Sequence, residues 1–314
     1  MPIEENTKIY VAGHCGLVGS AIVRRLHQGG NSSYTNIISR THNELDLLNQ
    51  RETLAFFEQE KPEYVFLAAA NVGDNHANST YPADVLYENM QIQNNVIQAA
   101  HQFGVKWLCF VGASCIYPRD CPQPIKEEYF LTGPLDPSNE PYAIAKIAGI
   151  ELCNAYNNEQ GTRFVSVIPT NLYGPNDKYN PASGHLLPTL IKKVHEAKKS
   201  GATECLVSGA SHPTCEYLYS DDMADACVFL MEQGVSGGSY NIGVGSDVSI
   251  LEVTETVMDI VGFKGQIVFD TSKPDGTSSK LLDVSRLSNL GWRSKTPLRD
   301  GITITYQEFL KHTK

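Results

Sequence analysis

The sequence predicts a doubly wound parallel α/β fold of the Rossmann type, followed by a smaller C-terminal α+β lobe that binds substrate. Short apolar strands alternate with amphipathic helices through the first half of the chain. A glycine-rich turn follows the first of these strands. Two later strands are uninterrupted apolar runs, which suit a parallel sheet buried on both faces. Beyond Pro169, proline-rich loops replace the regular alternation.

Strands and helices can be assigned along the whole chain. In the first half, strands are predicted at residues 8–12, 36–39, 64–70, 107–111 and 164–168, and helices from the glycine turn to about residue 28, at 49–60, at 83–102 and from about 142 onward. In the second half, a helix is predicted near 186–199 and strands near 205–207 and 217–219. We therefore expect a Rossmann-type domain in residues 1–170 and mainly the substrate-binding lobe in residues 171–314, with some elements able to return to the first domain.

Composition and charge argue against several classes of protein. The 314 residues include 25 Lys and Arg against 35 Asp and Glu, a net charge of −10. This excess of acid argues against nucleic acid or an anionic membrane as a partner, although local cations could still bind an anionic small molecule. The sequence shows no signal peptide and no apolar stretch long enough to cross a bilayer, so we expect a cytoplasmic protein. Its eight cysteines include no C-x-x-C pair, which indicates reduced thiols and no metal site.

A glycine turn joins the first predicted strand to the first helix. Gly13, Gly16 and Gly19 have the G-x-x-G-x-x-G spacing of short-chain dehydrogenases. Glycines here let the backbone approach a pyrophosphate, and the helix N-terminus adds free N–H groups and a positive dipole end. Glycines also mark ordinary turns, but the place of these three in the first βαβ unit favours a dinucleotide site.

The end of the second predicted strand indicates which dinucleotide is bound. A carboxylate there accepts a hydrogen bond from the ribose 2′-OH of NAD, whereas a basic residue pairs with the 2′-phosphate of NADP. This strand runs into Arg40 and contains no carboxylate. Arg40 can form a forked pair with a phosphate, so NADP(H) is favoured over the alternative in which Arg40 is a solvated surface residue.

Tyr142 and Lys146 are spaced one helical turn apart, on the same face of a predicted helix. A tyrosine with its ordinary pKa of about 10 is a poor acid–base catalyst. We expect the Lys146 ammonium to stabilise the phenolate and to lower the pKa of Tyr142. The phenol could then donate a proton to a ketone oxygen while a nicotinamide donates hydride to the carbon. A Y-x-x-x-K pair is often accidental, but its position after a Rossmann-type half favours an oxidoreductase.

Longer motifs extend this interpretation over nearly the whole chain. They lie at residues 114–118, 139–149, 169–175, 220–224, 272–277 and 280–283. In these motifs the sequence resembles the GDP-L-fucose synthase family of extended short-chain dehydrogenases/reductases. Members of that family convert GDP-4-keto-6-deoxy-D-mannose to GDP-L-fucose by epimerising C3 and C5 and then reducing C4 with NADPH. The resemblance implies an NADP-dependent oxidoreductase with epimerase activity.

The resemblance also implies roles for individual residues. Cys115 and His185, which would otherwise be read as a core thiol and a surface residue, would move the C3 and C5 protons that the 4-keto group makes acidic. Ser114 is a further candidate in the reaction centre. NADP contacts are implied at Gly13, His14, Cys15, Gly16, Leu17, Val18, Gly19, Arg40, Lys146, Pro169, Thr170, Asn171, Leu172 and His185. Substrate contacts are implied at Asn171, Lys193, Asp275 and Lys280, and the positions that face the nucleotide are Ser208 and Cys215.

Four positions depart from the family pattern. Ala113 replaces a serine or threonine that donates a hydrogen bond to the 4-keto oxygen, and loss of such a donor can cost about 3 kcal/mol in the transition state. Ser114 is adjacent, but we expect its side chain on the opposite side if the strand continues. Cys15 replaces an arginine near the 2′-phosphate. Ser208 and Cys215 replace a tryptophan and an arginine that contact GDP, so we expect weaker or reshaped nucleotide recognition.

Two alternatives stay open from the sequence. The first is a C4 reductase for a related GDP-4-keto-6-deoxy sugar or heptose, with little epimerisation, which Ala113, Ser208 and Cys215 favour. The second is an NADP-binding sensor that catalyses no reaction. Enzymes of this type pair through two helices, so the resemblance also implies a homodimer formed through residues 83–102 and 142–160.

Overall fold

The computed structural model describes residues 3–28, 33–72, 80–179, 185–270 and 280–313. Its strands are β1 (Ile9–Ala12), β2 (Ile37–Ile38), β3 (Tyr64–Leu67), β4 (Trp107–Val111), β5 (Phe164–Pro169), β6 (Asn171–Tyr173), β7 (Glu204–Ser208), β8 (Thr214–Cys215), β9 (Tyr217–Tyr219), β10 (Ser239–Ile242), β11 (Val248–Ser249) and β12 (Gln266–Asp270). Its α-helices are α1 (Leu17–Gln28), α2 (Gln50–Glu60), α3 (Pro82–Gln102), α4 (Glu140–Gln160), α5 (Leu186–Ser200), α6 (Ser220–Glu232), α7 (Ile250–Val261), α8 (Ser285–Asn289) and α9 (Leu298–His312). Short 3-10 helices cover Ser114–Ile116 and Glu127–Tyr129.

Six strands, from β1 to β10, form one central sheet. Its order is β2-β1-β3-β4-β5-β10, and every neighbouring pair is parallel. The chain first moves from β1 to β2 at one edge and then builds the rest of the sheet on the other side of β1. In such sheets, ligands bind at the carboxyl ends of the strands where the winding direction changes, which here is between β1 and β3. The predicted fold class is confirmed.

The central strands are apolar on both faces because helices cover both sides of the sheet. Leu108 and Phe110 of β4 point into the core beneath α2, α3 and α4. Trp107 and Cys109, which alternate with them, point into the core beneath α1 and α6. This alternation follows from the two-residue period of a strand. The uninterrupted apolar runs in the sequence therefore mark strands that are covered on two sides.

A third core holds the smaller lobe together. It includes Leu190, Val257 and Phe309 from α5, α7 and α9, with Val207 from β7 and Tyr217 from β9. In this lobe β7 pairs with β12, β8 with β11 and β6 with β9. β10 instead lies in the main sheet beside β5, so the chain crosses back to the first domain after the lobe has begun. The domain boundary at residue 170 stays a prediction.

Some element boundaries differ from those expected. The strand predicted at residues 64–70 ends at Leu67, because the backbone of Ala69 packs against Gly13 and the N–H of Asn71 donates to Asn89 Oδ1 on α3 at 3.1 Å. α4 begins at Glu140, with a proline in its first turn, where a missing N–H costs no helical hydrogen bond. Within the described ranges, we find no helix long and apolar enough to cross a membrane.

α4 packs closely on the sheet at Gly149. A Cβ atom at this position would overlap the Phe110 ring and lie 2.9 Å from Gln93 Oε1 on α3. We predict that Gly149→Val lowers the free energy of unfolding by about 2 kcal/mol or more, because overpacked side chains force neighbours out of place. Urea titration measures the change. Ala155→Val, at an exposed position of the same helix, should cost only about 0.6 kcal/mol from helix propensity, and an equal loss in both variants would contradict the close packing.

Candidate active site

The glycine turn leaves room for a ligand at one of its three glycines. Gly13 has a φ of 85°, and a Cβ there would lie 2.6 Å from the backbone N of Ala69. A Cβ on Gly19 would overlap the carbonyl oxygen of Gly13. The packing of β1, β3 and α1 therefore requires glycine at both positions. Among the described atoms, a Cβ on Gly16 would meet only the Gly13 carbonyl oxygen, at 3.5 Å. Glycine at residue 16 is thus not required by the packing of the protein.

Groups around this turn fit the pyrophosphate of a dinucleotide. Leu17 and Val18 begin α1, whose free N–H groups and dipole favour an anion. His14 Nδ1 is buried and has no hydrogen-bond partner among the residues that the structure describes. The other ring nitrogen, Nε2, lies 3.2 Å from Sγ of Cys15, which is exposed. A phosphate oxygen or its hydration shell would give the buried ring nitrogen a partner.

Arg40 lies at the end of β2, where the 2′-phosphate of NADP was expected, and it already has protein partners. Its Nη2 donates to Glu60 Oε1 at 2.7 Å and its Nη1 donates to the carbonyl oxygen of Ser39 at 2.8 Å. The guanidinium also lies 5.5 Å from the centroid of the Phe56 ring. These contacts orient the guanidinium, and 35% of the side chain stays exposed. No local pattern in the sequence indicates Glu60 as the partner of Arg40, because it lies 20 residues further along the chain.

Tyr142 and Lys146 lie on α4 next to the carboxyl end of β4. Lys146 is buried, and its Nζ donates to the carbonyl oxygen of Val111, the last residue of β4, at 2.8 Å. The same Nζ lies 5.6 Å from the centroid of the Tyr142 ring and 4.8 Å from that of Phe110. The central sheet therefore fixes the ammonium beside the phenol.

Burial determines the acidity of this pair. It lowers the pKa of Lys146 to about 8, because the ammonium is removed from water. It raises the pKa of Tyr142 well above the ordinary value, and Cys115 acts in the same direction. The net lowering of the Tyr142 pKa that was expected is therefore not found for the chain alone, because burial dominates. Tyr142 stays a phenol, which is the form that can donate a proton to a ketone.

Cys115 lies in the 3-10 helix that follows β4. Burial raises the pKa of its thiol to about 11, while the charges of Lys280 and Lys146 act in the opposite direction. The charge of Cys115 in turn affects the pKa of both Tyr142 and Lys146. The structure thus brings together four of the residues that the sequence indicated, namely Cys115, Tyr142, Lys146 and Lys280.

The backbone after β4 changes the expected position of Ser114. β4 ends at Val111, Ala113 is extended with φ −158° and ψ 148°, and the chain then enters the 3-10 helix. The alternation of a strand does not reach Ser114, so the condition under which its side chain was expected on the opposite side is not met. The carbonyl oxygen of Ser114 accepts the N–H of Tyr117 at 3.3 Å. A catalytic role for Ser114 stays a prediction.

His185 lies on a different element, as the residue that precedes α5. Its Nδ1 is 3.5 Å from Oδ1 of Asp177. The Asp177 side chain is 4% exposed and that of His185 is 56% exposed. A buried carboxylate in this position can hold one nitrogen of the ring and direct the other outward. Asp177 was not among the predicted site residues, and its only signal in the sequence is a carboxylate in the loop that follows β6.

The segment after β5 carries the remaining implied cofactor residues. Pro169 ends β5, and Asn171 and Leu172 lie in β6. Thr170 Oγ1 and Asn171 Nδ2 both donate to the carbonyl oxygen of Glu216, at 3.2 and 3.1 Å. The segment is therefore held against the residue that follows Cys215, the implied substrate residue.

Glu216, which was not among the predicted site residues, joins several loops behind the site. Its side chain is fully buried, and burial raises the pKa of the carboxyl group. Three backbone N–H groups donate to the carboxylate, those of Val244, Gly245 and Leu282, at 2.6, 2.7 and 3.1 Å. The only signal in the sequence was an acidic residue directly before the apolar strand β9. Its function depends on partners far along the chain, which no local pattern reveals.

The residues implied in substrate binding are distributed over the lobe. Lys193 is half-buried on α5, Ser208 is exposed at the end of β7, and Cys215 is half-buried in β8. Asp275 lies outside the described residues. Lys280 lies instead beside the turn of Cys115, with its Nζ 3.5 Å from the carbonyl oxygen of Ser114.

This combination of a parallel sheet, a glycine turn and a buried tyrosine–lysine pair agrees with the comparisons to known proteins. Residues 9–243 match the model of the NAD dependent epimerase/dehydratase family, and the chain belongs to this family. GDP-L-fucose synthase 1 of Arabidopsis thaliana is 53% identical over 309 residues, which cover 98% of this chain and 95% of that protein. The resemblance predicted from the motifs is confirmed.

Solved structures agree with this relationship. A GDP-L-fucose synthetase from Naegleria fowleri bound to NADP superposes with a TM-score of 0.90 at 30% identity, covering 99% of this chain and 96% of that one. A GDP-6-OMe-4-keto-L-xylo-heptose reductase from C. jejuni gives a TM-score of 0.90 at 35% identity and covers 100% of both chains. The central sheet and the lobe are therefore shared by reductases that act on different GDP-linked sugars.

The lowered pKa of Lys146 makes stability depend on pH in a defined direction. Between a folded pKa of about 8 and an ordinary pKa near 10.5, the unfolded chain binds more protons at this position than the folded chain. The contribution of Lys146 to stability therefore rises with pH in that window. We predict that the unfolding free energy of the wild type, minus that of Lys146→Met, rises on the order of 1 kcal/mol between pH 8 and pH 9. Denaturant titrations at both pH values measure it, and a flat or falling difference would show that the ammonium is not buried.

Proposed function

We propose that this chain is an NADPH-dependent epimerase and reductase that converts GDP-4-keto-6-deoxy-D-mannose to GDP-L-fucose. The observation that carries the proposal is the cluster of Tyr142, Lys146 and Cys115 at the carboxyl end of β4, in a chain 53% identical to a GDP-L-fucose synthase. A phenol that stays protonated suits ketone reduction, and a thiol beside cations suits proton abstraction next to that ketone.

NADP(H) is the cofactor that the first domain would hold. The turn of Gly13 to Gly19 would accept the pyrophosphate, and Arg40, oriented by Glu60, would pair with the 2′-phosphate. Lys146 and the segment from Pro169 to Leu172 would line the nicotinamide end. When bound, NADPH supplies the hydride for C4.

In the reduction, Tyr142 donates its proton to the C4 oxygen of the sugar. Burial keeps the phenol protonated before this step. The phenolate that remains is stabilised by the Lys146 ammonium, which the Val111 carbonyl oxygen holds beside the ring. This arrangement places a positive charge where negative charge develops. In many enzymes such electrostatic stabilisation is the largest single contribution to the lowering of the activation barrier.

In the epimerisation, Cys115 removes a proton next to the ketone and His185 returns one from the other face of the sugar. The 4-keto group accepts the electron pair as an enolate, so each step conserves charge and atoms. Asp177 Oδ1 lies 3.5 Å from Nδ1 of the imidazole and could orient the ring. Because burial raises the pKa of Cys115 to about 11, its work as a base depends on the positive charges around it.

We also propose that the chain forms a homodimer through α3 and α4. Large apolar side chains on these helices face outward, with Tyr87 66% exposed and Ile144 41% exposed. Pairing of the two helices with their copies would remove these side chains from water. Sedimentation equilibrium measures the mass in solution, and a monomer at micromolar concentration would contradict this proposal.

The test of the proposed function is an assay with GDP-4-keto-6-deoxy-D-mannose and NADPH in deuterated water. We expect oxidation of NADPH and formation of GDP-L-fucose with deuterium at C3 and C5, identified by NMR and mass spectrometry. Oxidation without deuterium would identify a C4 reductase, the alternative that Ala113, Ser208 and Cys215 favour. Binding of NADPH without oxidation would contradict the enzyme and identify a sensor.

Gly16 separates cofactor binding from folding. We predict that Gly16→Ala weakens NADPH binding by about 10-fold or more, a loss of about 1.4 kcal/mol, because the added methyl group would occupy the space of the pyrophosphate. Unfolding should be unchanged, since the methyl group meets the protein only at ordinary contact distance. Gly19→Ala is the contrast, because its methyl group overlaps the Gly13 carbonyl oxygen and should destabilise the fold. Fluorescence titration gives the binding constants, and undiminished binding by Gly16→Ala would place the pyrophosphate elsewhere.

Ala113 leaves the 4-keto oxygen without the hydroxyl donor of the family. We predict that Ala113→Ser raises kcat for reduction on the order of 10-fold or more, because a hydroxyl at this position would stabilise the developing oxyanion. Steady-state oxidation of NADPH measures the gain. An unchanged kcat would mean that another donor, such as Ser114, already serves the oxygen.

A further inference from the structure

We propose that Lys280 is a positioning residue for the epimerisation, because its ammonium holds the turn that carries Cys115 and provides a positive charge for the thiolate. This inference rests on the proposed function and deepens it. The sequence had placed Lys280 among the substrate contacts, whereas the structure places it against the reaction centre. The proposal assigns it an effect on Cys115 that is separate from any contact with the substrate.

The contact is made with the backbone on both sides of Cys115. Nζ of Lys280 lies 3.5 Å from the carbonyl oxygen of Ser114 and 3.4 Å from that of Tyr117. These two carbonyl groups enclose the 3-10 helix in which Cys115 lies. An ammonium that bridges them opposes any opening of the turn and stays close to the thiol between them.

The backbone that follows Lys280 is firmly held. Leu282 N–H donates to the buried Glu216 carboxylate at 3.1 Å. Ile125 pairs with the same segment, since its N–H donates to the Leu281 carbonyl oxygen and its own carbonyl oxygen accepts the N–H of Asp283, both at 2.8 Å. These hydrogen bonds fix the backbone next to Lys280. The ammonium can therefore be held in one position with a smaller loss of conformational entropy.

Two cations, Lys280 and Lys146, act on Cys115. The charged groups around the thiol are Lys280 and Lys146, which favour the thiolate, and Asp136, which opposes it, with Tyr142 also close by. Lys146 donates to the carbonyl oxygen of Val111, and in the proposed reduction it also stabilises the phenolate of Tyr142. Lys280 is therefore the cation available to Cys115 while Lys146 serves the reduction.

If Lys280 only bound the diphosphate, its replacement would leave the pKa of the Cys115 thiol unchanged. The two roles therefore differ in a measurement that needs no substrate. We predict that Lys280→Met raises the apparent pKa of Cys115 by about one unit, read from the pH dependence of iodoacetamide labelling of the peptide that contains Cys115. Lys280→Arg should keep most of the wild-type profile, because it keeps the charge. Lys192→Met, on α5, is the matched control for loss of a surface cation and should leave the labelling profile unchanged.

The same variants are then tested for exchange of the sugar protons. With NADP⁺ bound and no hydride available, deuterium uptake at C3 and C5 should slow by at least about 10-fold in Lys280→Met and recover at higher pH. Lys193→Met should raise KM if it contacts the diphosphate, without moving the labelling profile. Binding of NADPH and the thermal unfolding midpoint show whether each variant is folded.

The outcomes separate the role of Lys280 from the proposed epimerase activity. A labelling profile in folded Lys280→Met that equals that of the wild type would overturn the role of Lys280, whatever the activity. A shifted profile together with a wild type that exchanges no sugar protons would contradict the proposed epimerase instead, and would leave the electrostatic effect of Lys280 on Cys115 established.

Discussion

The hydrogen bond from Lys146 to the carbonyl oxygen of Val111 joins the reaction centre to the central sheet. Val111 ends β4, and Gly149 on the same helix as Lys146 allows α4 to lie directly against Phe110 of that strand. Displacement of the helix would leave a buried ammonium without an acceptor, which is energetically costly. The position of Tyr142 is therefore set by the packing of one helix on one strand.

Burial and nearby charge divide the acid–base work among the side chains at the end of β4. Tyr142 keeps its proton, which suits a donor to a ketone oxygen. Lys146, with a pKa near 8, remains a cation that can stabilise the phenolate at neutral pH. Cys115 lies immediately after the same strand and needs positive charge to act as a base. In the proposed mechanism two lysines from distant segments meet these demands, and only Lys146 shares a helix with the residue it serves.

The sequence predicted the parts of this arrangement that depend on local pattern. The alternation of apolar runs marked the central strands, and the spacing of Tyr142 and Lys146 placed both on one face of α4. Sequence reasoning failed where the outcome depends on distant partners. Glu60 orients Arg40, Asp177 lies against His185, and Glu216 holds the segment of Lys280. The direction of the Tyr142 pKa was wrong for the same reason, since helix spacing contains no information about burial.

In the proposed mechanism, Tyr142 is the proton donor to the sugar ketone, beside a lysine fixed on β4. A crystal structure of the chain with NADP⁺ and GDP-L-fucose tests this role, because the two are the products of the proposed reduction and no hydride donor remains. We expect a hydrogen bond of roughly 2.6–3.2 Å between the Tyr142 hydroxyl and the C4 oxygen, with Nζ of Lys146 still on the Val111 carbonyl oxygen. A Tyr142 hydroxyl that faces bulk solvent, or a C4 oxygen bound by another residue, would contradict it.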